Sequence, residues 1–157
     1  MMEIEFILND EKVSYTGNPS LRLLDVLREH YRLTSVKCGC KEGECGACAV
    51  LLNGKLVNSC CVAIGAVGGA RVLTVEGYKK TERYKVIEEA FGEFSAVQCG
   101  FCTPGMVMAA EALLSVNPHP TAEDVRIALS GNLCRCTGYN ALVKAIMGAA
   151  EKGEGLW

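Results

Sequence analysis

Eight of the ten cysteines fall into two groups of four whose spacing suits a metal centre. The first group follows the pattern Cys-x4-Cys-x2-Cys, with a fourth cysteine after eleven more residues, and consists of Cys40, Cys45, Cys48 and Cys60. The second group joins Cys-x2-Cys to Cys-x-Cys across 31 residues and consists of Cys99, Cys102, Cys134 and Cys136. The first pattern is the plant-type spacing for a [2Fe–2S] cluster. Two such groups in one chain predict a protein that passes single electrons.

Zinc and disulfides are the alternative uses of clustered cysteines. Cys-x2-Cys followed by Cys-x-Cys could form a tetrahedral zinc site, and spacing alone does not separate zinc from iron at the second group. Disulfides need an oxidising compartment, but the first ten residues lack the basic and apolar regions of a secretory signal. We therefore expect a cytoplasmic protein whose cysteines stay reduced.

Composition excludes two classes of partner. The net charge is −2 and no basic patch indicates nucleic acid binding. No apolar run reaches the 18 residues of a membrane span. Half of the 157 residues are hydrophobic and 22% are charged, which fits a subunit partly covered by partners, although a dense core would explain this balance as well.

The first half of the chain has the periodicity of a β-rich domain. Alternating residues 2–8 and 12–15 flank Asn9-Asp10, and residues 49–52 and 56–58 flank Asn53-Gly54, so two hairpins are predicted. A helix over residues 21–31, with Ser20 as its N-cap, and a last strand over residues 71–75 complete this half. We place this domain at residues 1–76 and a polar linker at residues 77–84.

The second half has helical periodicity. Helices are predicted over residues 85–94, from Thr103-Pro104 to about residue 117, from Thr121, and over residues 140–151. Residues 85–157 should therefore form a four-helix bundle, with the second cysteine group on its loops and helix ends.

Three stretches carry a family resemblance: GCKEGECGAC at residues 39–48, QCGFCTPGM at 98–106 and GNLCRCTGY at 131–139. Together they resemble the iron–sulfur subunit of the molybdenum hydroxylases, the group of xanthine dehydrogenase, aldehyde oxidoreductase and carbon monoxide dehydrogenase. The resemblance covers essentially the whole chain. It implies an α+β protein: a β-grasp, plant-type ferredoxin-like domain followed by an all-α four-helix domain, each with one [2Fe–2S] cluster.

The same resemblance implies partners and a direction. Electrons would pass from the molybdopterin cofactor of a large catalytic subunit to the second cluster, then to the first, and finally to FAD on a flavin subunit. The complex would be a dimer of heterotrimers or a similar assembly, and no substrate chemistry would occur on this chain. Gln98 would hydrogen-bond the pterin, and Cys136 would both ligate iron and lie near the pterin. The competing interpretation of Gln98 is a polar residue that caps a loop.

Cys38 and Cys61 lie one or two residues from proposed ligands. Cys40-x4-Cys45 fits the plant-type spacing and Cys38-x6-Cys45 does not. Only the family pattern favours Cys60 over Cys61 as the fourth ligand. We expect both extra cysteines to be small apolar fillers.

Two other functions stay open. The chain could be a self-standing two-cluster ferredoxin or a zinc-stapled binding module without a redox role. The substrate of a hydroxylase complex cannot be deduced, since relatives oxidise purines, aldehydes, N-heterocycles, aromatic thioesters or carbon monoxide.

Overall fold

A computed structural model describes residues 1–157. The first half forms one five-stranded mixed sheet in the order β2-β1-β5-β3-β4. Strands β1 and β5 are parallel and the other neighbours are antiparallel. The strands are β1 (Met2–Leu8), β2 (Glu11–Gly17), β3 (Ala49–Leu52), β4 (Lys55–Asn58) and β5 (Arg71–Leu73).

Both predicted hairpins are present. Their two-residue turns have positive φ at both central positions, 51° and 69° at Asn9 and Asp10 and 50° and 80° at Asn53 and Gly54. These are type I′ turns, whose twist matches that of the flanking strands. The turns therefore fix the register of β1 against β2 and of β3 against β4.

The first helix begins later than predicted. It is a single turn, α1 (Leu23–Asp25), that continues as a π-helical turn over Val26–His30. Ser20 is not its N-cap, because Arg22 occupies that position without a side-chain hydrogen bond. A tertiary contact explains the later start. The Leu23 amide donates to the Val62 carbonyl at 2.7 Å, which holds the residues before Leu23 extended against the chain that follows β4.

Strand β5 ends earlier than predicted, at Leu73, and the short helix α2 (Val75–Tyr78) follows. The side chain of Asn9 stops the strand, since its Oδ1 accepts from the Thr74 amide at 2.9 Å and its Nδ2 donates to Thr74 Oγ1 at 3.0 Å. This turns the chain out of the sheet and into the helical half.

Four further helices form the second half: α3 (Glu82–Glu93), α4 (Thr103–Val116), α5 (Ala122–Ala128) and α6 (Asn140–Lys152). Pro104 lies in the first turn of α4, whose N-cap is Cys102. Thr121 caps α5 in a reciprocal capping box with Asp124. No helix is long and apolar enough to cross a membrane.

The two halves have separate cores that meet at the sheet. The first core lies between the sheet and α1 and includes Leu23, Leu24 and Leu27, all fully buried. The second lies among α3 to α6 and includes Leu51 of β3, against which α4 packs. Helix α4 therefore belongs to the helical core and also rests on the sheet.

A buried carboxylate ties the helical half together. Glu111 on α4 is 5% exposed and accepts four hydrogen bonds, which come from Tyr78 at 2.5 Å, Arg83 at 2.9 Å, Ser115 at 2.9 Å and Trp157 Nε1 at 2.7 Å. Burial, and then the bond to Glu111, raises the pKa of Tyr78, so its hydroxyl remains a donor. One side chain thus joins α2, α3, α4 and the C-terminus.

We expect Glu111→Leu to lower the free energy of unfolding by about 3 kcal/mol, because it leaves the buried Tyr78 hydroxyl and Trp157 indole without an acceptor. Chemical denaturation followed by far-ultraviolet circular dichroism measures this change. The same substitution at the exposed Glu151 is the control and should leave stability unchanged. Equal effects at the two positions would contradict a special role for Glu111.

Candidate metal centres

The first cysteine group lies on a loop that wraps around its own sulfur atoms. The loop leads into β3, and Cys60 joins it from a short 3-10 turn, Ser59–Cys61, after β4. Positive φ at Lys41 (60°), Gly43 (81°) and Gly46 (69°) curls the loop inward. The curl directs backbone N–H groups at a cysteine sulfur rather than at solvent.

Cys40 shows the effect of this curl most clearly. Its Sγ accepts from the amides of Glu42, Glu44 and Cys45 at 3.4, 3.3 and 3.4 Å. The backbone bonds from Glu42, Cys45 and Glu44 lower the pKa of Cys40 to about 7. The loop is therefore built to stabilise a thiolate, which is the form that binds iron.

The cysteines of the first group influence one another in pairs. Cys45 acts on the pKa of Cys40, and Cys48 acts on the pKa of Cys60. Cys48 and Cys60 are 2% and 4% exposed. Burial is the main reason that the pKa of Cys60 is raised, and the neighbouring Cys48 raises it further. A [2Fe–2S] cluster needs two cysteine ligands on each of two irons, so two pairs fit it.

The second group also forms two pairs. Cys99 and Cys102 lie between α3 and α4, and Cys134 and Cys136 lie just before α6. Cys134 acts on the pKa of Cys102, and Cys99 acts on the pKa of Cys136. No three His, Cys, Asp or Glu side chains surround a point where a single metal ion could bind.

The pKa values of Cys102 and Cys134 are shifted in opposite directions. Burial raises the pKa of Cys134, but Thr137 outweighs it with a hydroxyl 3.2 Å and an amide 3.5 Å from the sulfur, and the pKa falls to about 7. Burial, and then contact with Cys134, raises the pKa of Cys102 to about 12. Cys134 is therefore the more readily ionised of these two thiols.

A cavity of about 560 Å³ lies over the second group. Phe101 and Leu133 stand at its edge and are 48% and 55% exposed, and Cys99 and Cys136 are exposed as well. The cavity is lined by these residues together with Cys102, Cys134, Arg135 and Tyr139. Two large apolar side chains beside a polar site mark a surface that a partner protein would cover.

The two cysteine groups are joined by direct backbone contact. The Leu133 amide donates to the carbonyl of Cys45 at 2.9 Å, and the buried Asn132 donates from Nδ2 to the carbonyl of Gly46 at 3.2 Å. A residue adjacent to Cys134 is thus hydrogen-bonded to the backbone of Cys45. No local pattern in the sequence predicted this contact, because Asn132 and Gly46 are 86 residues apart.

Glycine is required at this contact. A Cβ atom at Gly46 would lie 2.3 Å from the Gly131 carbonyl oxygen, and one at Gly105 would lie 2.5 Å from the Gly46 carbonyl oxygen. Both separations are far below van der Waals contact. Backbone therefore packs closely on backbone between the two groups, and the Asn132 amide is the side chain that joins this contact.

Comparisons with known proteins bear on these sites. The family model described as "2Fe-2S iron-sulfur cluster binding domain" matches residues 6–67, and that described as "[2Fe-2S] binding domain" matches residues 74–147. The nicotinate dehydrogenase small FeS subunit of Eubacterium barkeri is 48% identical over 149 residues, 95% of each chain. The nicotine 6-hydroxylase small subunit of Paenarthrobacter nicotinovorans is 42% identical over 148 residues, 94% of this chain and 89% of the relative. The chain belongs to the iron–sulfur subunits of the molybdenum hydroxylases.

Solved structures of this family have the same fold. Quinoline 2-oxidoreductase from Pseudomonas putida 86 matches with a TM-score of 0.91 at 38% identity, covering 98% of this chain and 96% of that one. Aldehyde oxidoreductase from Desulfovibrio gigas matches with a TM-score of 0.92 at 38% identity, covering all of this chain and 18% of that one. The predicted α+β fold, a ferredoxin-like domain followed by a helical domain, is confirmed.

The family assignment also confirms two [2Fe–2S] centres, since each cysteine group lies within one matched domain. The choice of individual ligands remains a prediction. Gln98 is exposed beside Cys99. Its contact with the pterin of the large subunit likewise remains a prediction.

The extra cysteines of this iron–sulfur subunit are not buried fillers, and that prediction is wrong. Cys38 and Cys61 are both exposed. In the turn Ser59–Cys61, Cys60 points inward, so the side chain that follows it points outward. The Cys61 Sγ nevertheless lies 3.7 Å from the Cys60 Sγ.

We expect Cys40→Ser and Cys99→Ser each to remove one cluster and about half of the bound iron, because each takes away a thiolate from a different group. Iron analysis and electron paramagnetic resonance of the reduced protein measure the loss. Cys38→Ser is the matched control and should retain full iron content. If Cys99→Ser kept its iron, or released zinc instead, the second ligand set would be wrong.

Proposed function

We propose that this chain relays single electrons from the molybdopterin centre of a large catalytic subunit to FAD on a flavin subunit. The observation that carries this function is the direct contact between the two cysteine groups through Leu133 and Cys45. A chain with two unconnected metal staples would have no need of such a contact. When bound, each [2Fe–2S] cluster would take up and release one electron.

The residues have separate tasks in this relay. The ligands would be Cys40, Cys45, Cys48 and Cys60 for the first cluster and Cys99, Cys102, Cys134 and Cys136 for the second. Backbone amides around Cys40 and the Thr137 hydroxyl at Cys134 stabilise thiolate charge without adding a mobile cation. Gln98 and Cys136 would lie next to the molybdopterin of the large subunit.

The exposed face of the second group supports its role as the entrance for electrons. Its cavity opens between Phe101 and Leu133, which supply an apolar contact surface for a partner. The loop of the first group instead exposes Glu42 and Glu44. The two ends of the relay therefore differ in chemistry, as two different partner subunits would require.

Further features of the complex belong to the same proposal. The domains would be residues 1–76 and 85–157, joined by residues 77–84. The location would be cytoplasmic, and the assembly would be a dimer of heterotrimers or a similar complex.

An N-heteroaromatic substrate is the best candidate for the complex. The relatives named above include subunits of nicotinate dehydrogenase and nicotine 6-hydroxylase and the structure of quinoline 2-oxidoreductase. Nicotinate, nicotine and quinoline all contain an aromatic ring with a ring nitrogen. The large subunit would hydroxylate such a ring and release two electrons, which this chain would carry one at a time.

We expect this chain to purify from its native cell together with a molybdenum-containing subunit and a flavin-containing subunit, because an electron relay needs a donor and an acceptor. Affinity purification with metal, FAD and mass-spectrometric analysis tests this. A substrate panel on the purified complex, with nicotinate, quinoline, xanthine and an aldehyde, tests the substrate class. Recovery of a brown chain alone would favour the self-standing ferredoxin, and zinc without iron would favour the binding module.

We expect Asn132→Ala to slow electron transfer between the clusters while both stay assembled. The variant loses the bond to the Gly46 carbonyl and should be less stable by about 1–3 kcal/mol, because that carbonyl is buried. Flash reduction followed by absorption spectroscopy measures the transfer rate, and iron analysis verifies assembly. Asn140→Ala, at an exposed asparagine, is the control. An unchanged rate would show that the contact does not set the electron path.

A further inference from the structure

Cys61 is an exposed thiol that lies directly beside a proposed iron ligand. Its Sγ is 3.7 Å from the Sγ of Cys60, within the range of a sulfur–sulfur hydrogen bond. The two residues are neighbours in the same 3-10 turn, with Cys60 4% exposed and Cys61 exposed. The ligand assignment leaves Cys61 without a function, although its sulfur lies 3.7 Å from that of a proposed ligand.

We propose that the Cys61 thiol donates a hydrogen bond to the Cys60 sulfur and thereby raises the reduction potential of the first cluster. This inference rests on the proposed function, in which Cys60 is a ligand. A thiolate bound to iron has no proton, so only Cys61 can be the donor in this pair. Cys61 is thus a residue that tunes the cluster through a ligand, without touching iron itself.

The position of the Cys61 side chain is fixed from both sides along the chain. On one side, Ser59 Oγ donates to the Cys48 carbonyl at 2.7 Å. On the other, the Val62 carbonyl accepts from the Leu23 amide at 2.7 Å. The backbone of the turn is therefore anchored both to the first cysteine group and to α1, which keeps Cys61 next to Cys60.

Gly43 leaves the space that the thiol occupies. A Cβ atom at Gly43, where φ is +81°, would lie 2.9 Å from the Cys61 Sγ. The Gly43 carbonyl accepts from Asn58 Nδ2 at 2.9 Å, which holds the loop against the strand that leads into the turn. The loop therefore approaches the Cys61 sulfur on one side, while Cys61 itself remains exposed.

The effect on the potential follows from charge. Reduction adds one negative charge to the cluster and its sulfurs, and a donor to a ligand sulfur stabilises the reduced state more than the oxidised one. The bond would therefore draw an electron from the second cluster toward the first. This is the direction in which the proposed relay delivers electrons.

Cys61→Val tests the proposal, because valine fills a similar volume and donates no hydrogen bond. Redox titration by electron paramagnetic resonance should show a lower potential for the first cluster and an unchanged one for the second. We expect the equilibrium between the clusters to shift toward the second by several-fold, up to about tenfold, which corresponds to about 59 mV for one electron. Cys61→Ser, with a hydroxyl donor, should restore most of the potential.

Cys38→Val is the matched control, because it makes the same change at the other exposed cysteine outside the two proposed ligand sets and should shift neither potential. Three results would overturn the proposal: an unchanged potential in Cys61→Val with both clusters intact, a serine variant that behaves like the valine variant, or an equal shift in the control. Loss of the first cluster in Cys61→Val, with retention in Cys60→Val, would make Cys61 the ligand. Absence of iron from the wild-type protein would instead refute the proposed function.

Discussion

The hydrogen bonds between the Cys45–Gly46 loop and the Asn132–Leu133 segment are the constraint on which the rest of the structure depends. Each cysteine group is built by its own half of the chain, and each half has its own core. Cores alone would leave the distance between the groups loosely set. The contact fixes this distance through a backbone bond of 2.9 Å, a bond of 3.2 Å from the Asn132 side chain, and two glycines that leave no room for a Cβ atom. Helix α4 reinforces the contact, because Gly105 lies in its first turn while the same helix packs on β3.

Stabilising thiolate charge is the second constraint, and it explains the irregular backbone. Four thiolates around a cluster carry more negative charge than two ferric ions and two sulfides neutralise, so the loop must supply positive potential. At Cys40 this comes from three backbone amides, and it needs the left-handed conformations at Lys41 and Gly43. The Lys41 side chain contributes less positive potential, because its Nζ lies 3.6 Å from Asp25 Oδ1 and is paired with that carboxylate. Fixed amide dipoles serve both oxidation states without moving, which suits a site that only exchanges electrons.

Local signals in the sequence predicted what local chemistry determines. Asn53-Gly54 predicted a hairpin, and Thr121 with the acidic residues after it predicted the start of a helix. The cysteine spacing predicted two metal centres. The misplaced ends of α1 and β5 have the opposite cause, because Val62 and Asn9 act on them from distant parts of the chain. The bond from Asn132 to Gly46 was equally beyond prediction, since an asparagine before Cys134 carries no mark of a partner 86 residues away. The exposure of Cys61 also depends on the turn that aims Cys60 inward.

An electron relay must hold its two metal centres at a fixed separation and must also bind partner proteins at both ends. In this chain, different residues serve these two requirements. Glu111, itself buried, gathers donors from α2, α3 and the C-terminus into one network. That network holds α4, and α4 carries Cys102 at its start and Gly105 at the contact with the first loop. The apolar edge at Phe101 and Leu133 is left free, because neither residue is needed by the core. Partner binding can therefore cover the cavity without disturbing the separation of the two cysteine groups.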